Sequence, residues 1–177
     1  MNRLEKNMEI VHDLLQIQHE RAIMYEKLLH YGNHNDKICM LLKKLAIQSR
    51  NCMLELRSHI SDTTGSDPAD RVEIKGDILR EWHGLHHFMP DSPYQDIILC
   101  FEINEMRTSL AYEKALLLSD HLCDELEKLI RYQHHVISHS YHFILESRER
   151  PYIPETTHSR DERKPPAYFH DRLYAEI

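Results

Sequence analysis

Glu105 is the residue of this sequence whose placement most needs a chemical explanation. It stands in QDIILCFEINEMRTSLAYEKALLL (95–118), where Ile97, Ile98, Phe101, Thr108, Ala111, Tyr112, Ala115 and Leu118 recur at three- and four-residue intervals. At roughly 100° per residue, Glu105 falls between Phe101 and Tyr112, inside that apolar stripe. A lone buried charge is too costly to persist, so this carboxylate must be paired, bound to a metal or protonated.

Metal coordination would draw on Glu105 with Glu102 one turn back, Glu20 on a first helix, Glu55 on a second, and His134 and His139 on a fourth. Dinuclear carboxylate sites in helix bundles take one Glu from each of two helices and Glu-x-x-His from each of the other two. Here, within the helices, only Glu9 and His12 have that spacing, near one end of the first helix, and four inward carboxylates are missing. The donor set therefore suits at most a reduced site for iron, manganese or zinc through Glu105 and one or two histidines. The i,i+4 pairs His135/His139, His83/His87 and His30/His34 lack a third ligand, and a solvated helix face is the simpler account of each.

The competing chemistry is a structural network. Gln18, Ser49, Glu105 and Gln133 each fall on the core face near the middle of a helix, and Arg50 flanks them. Paired with Arg50, Glu105 would form a polar layer with the glutamines and the serine. Such layers set helix register more than they add stability. No nucleophile–base pair and no phosphate loop is visible.

The elements that must position these groups are helices. The first, about 2–31, repeats Leu4, Met8, Val11, Leu15, Gln18, Ala22, Tyr25 and Leu29 in 4-3 spacing. The second, about 36–61, carries Ile38, Leu42, Leu45, Ser49, Cys52, Leu56 and Ile60, and the short turn between them makes an antiparallel hairpin. A turn-rich loop from Asp62 leads to a linker helix, about 74–88, and PDSP places the start of the next helix at Ser92–Pro93. Helices of about 93–118 and 120–146 form a second hairpin. The connection between hairpins is long enough to let the second and third long helices run parallel. Residues 1–147 thus read as one four-helix bundle, and 148–177, with Pro151, Pro154, Pro165 and Pro166, as an extended arm. The arm's Tyr152, Ile153, Tyr168 and Phe169 suit packing on its own bundle or on a neighbouring protomer, while its composition equally suits disorder.

A length of 177 residues and a net charge of −7 fit one acidic domain and argue against nucleic acid as a general partner. No apolar run reaches the roughly 18 residues of a membrane span, and the polar start MNRLEKNMEI is no signal peptide, so a cytoplasmic protein without membrane association is expected. Cys39, Cys52, Cys100 and Cys123 lack CxxC spacing and read as small core residues with free thiols. Fifteen histidines would swing the charge toward positive in mild acid, although scattered surface positions account for them.

The run FEINEMRTSLAYEKAL, with Glu102, Glu105, Tyr112 and Ala115, resembles the third helix of an uncharacterised bacterial family with a ferritin-like four-helix bundle. LLQIQHERAIMYEKL and AIQSRNCMLEL, with Arg50 and Glu55, resemble its first two helices, and GDILREWHGL, with Arg80 and Trp82, resembles its linker helix. The similarity covers about Leu4 to Leu145. Where the family has an acid this chain has Gln16, Glu20 keeping one, and the family's histidine on the fourth helix falls on His139 or, with a small insertion, on Tyr141. The resemblance implies a ferritin-like bundle and no established activity. The expectation is a self-associating, non-enzymatic structural or stress-related bundle. Its alternatives are a metal-binding, oxidase-like relative using Glu105, or an interaction module acting through the arm.

Overall fold

The computed structural model describes residues 3–31, 34, 36–64, 76–88, 96–118, 120 and 122–149. Among the described residues there are helices and no strands. α1 spans Arg3–Tyr31, α2 Asp36–Thr64, α3 Asp77–Gly84, α4 Ile97–Leu117 and α5 Asp124–Glu149, and a 3-10 turn, Leu85–Phe88, continues α3. The all-α class is as expected. The arm beyond 149, the loop 65–75 and the Ser92–Pro93 cap lie outside the described residues.

The helix ends differ from the sequence expectation for local reasons. α2 continues three residues beyond 61. α4 begins at Ile97, where the Asp96 side chain accepts the Leu99 amide at 2.9 Å and caps the helix. α5 begins at Asp124, where Cys123 O accepts the Glu127 amide and Asp124, Glu125 and Glu127 complement the helix dipole.

α1 packs chiefly on α2 and α4 on α5, with lesser contacts between α1 and α4 and between α2 and α5. Gln18, Arg21 and Tyr25 of α1 meet Tyr112, Glu105 and Asn104 of α4, so numbers rise on one helix as they fall on the other. Gln48 and Glu55 of α2 meet Ser140 and Gln133 of α5 in the same opposed sense. α1 and α2 form a hairpin whose far end brings Met8 and Val11 beside Ile60. α2 and α4 therefore point the same way. The apolar core divides in two, one cluster around Leu14, Ile17, Leu56, Trp82, Tyr112 and Ile130, the other around Tyr25, Leu42, Phe101 and Ile144. Between the clusters lies a band of buried polar side chains.

α3 is pinned across α1 and α4 by a buried acid that periodicity alone did not flag. Asp13 of α1 accepts the amides of Gly76, Ile78 and Leu79 at 2.8, 3.1 and 3.1 Å, capping α3 from a neighbouring helix. Burial lifts its carboxyl above the ordinary value, and the three amides pull it back. The contact requires glycine at 76, since a Cβ there would sit 2.3 Å from Asp13 Oδ2. Ile78, Leu79 and Trp82 then bury their side chains beneath α3.

Candidate functional site

Glu105 is fully buried at mid-height, as its place in the α4 stripe demands, but its partner comes from α1. Arg21 Nε lies 2.8 Å from Glu105 Oε1 and Nη2 lies 2.6 Å from Oε2, a two-pronged ion pair with both side chains out of solvent. The remaining guanidinium hydrogens go to Gln18 Oε1 and Ser49 Oγ from Nη1, at 3.2 and 2.9 Å, and to Gln48 Oε1 from Nη2, at 2.5 Å. All five donors are thus engaged. Tyr25 donates its hydroxyl to Glu105 Oε1 and accepts Asn104 Nδ2 at 3.0 Å.

A second branch completes the layer. Gln18 Nε2 donates to the Tyr112 hydroxyl at 2.9 Å, and that hydroxyl donates to Gln133 Oε1 at 2.8 Å. Gln133 Nε2 reaches Cys52 O at 3.1 Å and Glu55 Oε2 at 2.7 Å. Ser49 returns its hydroxyl hydrogen to Leu45 O, and Gln48 Nε2 reaches Ser140 Oγ. All four long helices contribute, so sliding any one of them by a residue would break several bonds at once.

The electrostatics follow from this packing. Burial alone would lower the Arg21 guanidinium, and the Glu105 charge overrides it, holding Arg21 above its ordinary value. Burial, with the Glu105 charge next, raises Tyr25 well above the usual phenol, so it stays a donor. Burial likewise raises Tyr112 and pushes the Cys52 thiol up to about 12.

Arg50 was the expected partner of Glu105, and the structure corrects this. Its side chain is largely exposed and its Nη2 meets Glu26 Oε1 at 2.5 Å on the surface. Arg50 directly follows Ser49, and one residue of helical rotation carries it off the core stripe. The sequence reasoning missed Arg21. Its signal was present, because Arg21 lies three residues after Gln18 and four before Tyr25, on the stripe itself.

A second buried arginine was also missed. Arg107 is only 4% exposed and stacks over the Trp82 indole, its guanidinium carbon 3.6 Å from the ring centroid. Its Nε and Nη2 both donate to Asn104 Oδ1 at 3.1 and 3.0 Å, and its Nη1 is buried without a hydrogen-bond partner. Burial pulls this guanidinium down to about 10.

The other metal candidates do not gather around Glu105. Glu20 accepts His83 Nε2 and Gln16 Nε2 beside α3, and Glu55 accepts Gln133. His134 meets Ser109 Oγ at 3.1 Å, with Glu113 at 3.6 Å, while His139 is exposed and Glu102 half-buried. Tyr141, the other position on which the family's fourth-helix histidine falls, is half-buried too. Among the described residues no three His, Cys, Asp or Glu side chains come together to hold a metal ion. Among them also, no helix is long and apolar enough to cross a membrane. No protein-family model, no curated protein and no solved structure matches the chain.

Proposed function

We propose that this protein is a ferritin-like four-helix bundle with a non-enzymatic, structural or stress-related role, its mid-core occupied by a charged lock. The observation that carries this is the Arg21 fork on Glu105. The carboxylate that would serve as the bundle's central metal ligand has both oxygens engaged by Arg21, with Tyr25 on one of them. Binding a metal through Glu105 would first have to displace a guanidinium whose five donors are all satisfied, stranding a buried cation. The opposed pairing of α1 with α4 and of α2 with α5, and the parallel sense of α2 and α4, support the ferritin-like topology with a long crossover.

Within this proposal the protein is cytoplasmic, in keeping with four cysteines all present as free thiols. It also self-associates. The support is an exposed aliphatic row along α2, where Met40, Ile47 and Leu54 stand at seven-residue spacing.

The test is uptake of ferrous iron and manganese by the purified full-length protein, followed by dialysis and elemental analysis. The expected outcome is less than a tenth of an equivalent retained, in wild type and Glu105→Gln alike. Stoichiometric iron or manganese that Glu105→Gln abolishes would overturn the structural role in favour of a metal-binding one.

A further inference from the structure

One end of the bundle holds a group of donors that the Arg21–Glu105 layer does not use. The start of α1, the end of α2 and the residues entering α5 enclose a cavity of about 20 Å³, enough for one water-sized body. Its polar or sulfur-bearing lining residues are Asn7, Met8, His59 and Cys123, and the rest of the wall is aliphatic. Cys123 Sγ lies 3.7 Å from His59 Nε2. A sulfur at ~2.3 Å and a nitrogen at ~2.1 Å from one shared ion stand about 3.6 Å apart at a tetrahedral angle. The observed span is therefore already that of two ligands to a common metal. Asn7 Oδ1 is buried and lacks a hydrogen-bond partner, which an unused ligand oxygen would explain.

We propose that this cavity binds a single thiophilic d10 cation, cuprous copper or zinc. Cys123 Sγ, His59 Nε2 and Asn7 Oδ1 are the ligands, and the Met8 thioether is a further soft donor. The class of ion follows from the donors. Thiolate and imidazole with a thioether at hand select soft and borderline ions, whereas magnesium and calcium need several oxygens, and the lining side chains offer one. Binding replaces the S–H bond of Cys123 with an S–metal bond and releases that proton to solvent. Cys123, His59 and Asn7 are each only partly buried, so an ion can enter without unfolding the helices. The site would tie α1, α2 and α5 together at the end of the bundle remote from the α1–α2 turn.

Anaerobic titration of the full-length protein tests this, with cuprous ion against a chromophoric chelator in one arm and zinc in the other. One ion per chain and one proton released are expected, with sulfur-to-copper absorption in the near ultraviolet in the copper arm. Cys123→Ser and His59→Ala should each weaken binding beyond the ~10–100-fold that follows loss of an outer-shell partner. Cys100→Ser should leave it unchanged. Met8→Leu should weaken cuprous binding alone if copper is the ion and should leave a tight zinc site untouched if zinc is. A measurement on wild type needs no variant to fold: one equivalent of ion should shield Cys123 from iodoacetamide while Cys39 stays open to it. Binding below one ion per chain in both arms, or unshielded Cys123, would reduce the Cys123–His59 contact to a hydrogen bond and overturn the site.

Discussion

Arg21 and Arg107 are both buried arginines, one beside the Tyr25 ring and the other bonded to Asn104, yet they sit in opposite electrostatic settings. Arg21 faces a carboxylate, and each of its hydrogens has an acceptor. Arg107, two residues from Glu105 on α4, has an indole face, one amide oxygen shared by two of its nitrogens, and a third nitrogen with no acceptor. The two are joined through Asn104 and Tyr25, whose hydrogen bonds run from Arg107 to Glu105. Position accounts for the difference. Arg21 points into the middle of the bundle, where four helices supply polar groups, whereas Arg107 lies under α3, whose covering side chains are Ile78, Leu79 and Trp82. Burial of a charge is thus no measure of its role; what decides is whether the surroundings return the lost hydration.

The sharpest way to break this contrast is to remove one half of the central pair. Arg21→Met leaves Glu105 buried with only Tyr25 to answer it, and Glu105→Gln leaves the Arg21 cation without a counter-charge. Each should destabilise the fold by about 3–5 kcal/mol, read as a shift in urea midpoint at constant slope. The double variant Arg21→Met/Glu105→Gln removes both charges and should lose much less than the sum of the single losses. Strict additivity would mean that the pair is not the unit drawn here.

Asp13 supplies a third case, a buried charge answered by dipoles and not by an ion. Asp13→Ala deprives the Gly76, Ile78 and Leu79 amides of their acceptor in a buried setting. The expected loss is about 2–4 kcal/mol, smaller than for the central pair because water can reach part of the vacated space. Hydrogen exchange should show that loss concentrated in α3. An α3 that stays protected would mean that Trp82 and its neighbours hold it without the cap.

These cases also show what a sequence can and cannot disclose. The four long helices, their hairpins and the inward turn of Glu105 follow from three- and four-residue periodicity, because burial against one neighbour leaves a stripe. Gln18, Ser49 and Gln133 were legible for the same reason, as polar residues interrupting otherwise apolar stripes. The partner of Glu105 was not, because a long arginine can reach a given point from either of two helices, and only the backbone decides which. Arg107 was less legible still. α4 is packed against α1, α3 and α5, so residues all around it are buried, and a helix buried on most of its circumference has no stripe from which a residue can be seen to depart. Asp13 belongs to another class again. Its role depends on a backbone segment more than sixty residues away, which no local pattern reports.

The smallest expected effect falls on Arg107, and its smallness is the informative part. Arg107→Met removes a buried cation that no carboxylate compensates, which favours the folded state, and keeps an unbranched side chain able to lie on Trp82. Against this, Asn104 Oδ1 loses both its donors and the cation–π contact disappears, each worth about 1–2 kcal/mol. The opposing contributions nearly cancel, so the stability change should be about 1 kcal/mol or less. The same measurement also has a pH signature. The folded value of Arg107, about 10, lies below that of a free guanidinium, so above pH 10 the folded protein binds fewer protons at this site than the unfolded chain. Wild type should therefore gain on Arg107→Met as pH rises past 10, while the two keep a constant offset between pH 7 and 9. A loss for Arg107→Met as large as that for Arg21→Met would mean that Arg107 meets a negative charge in solution, and the contrast between the two arginines would fall.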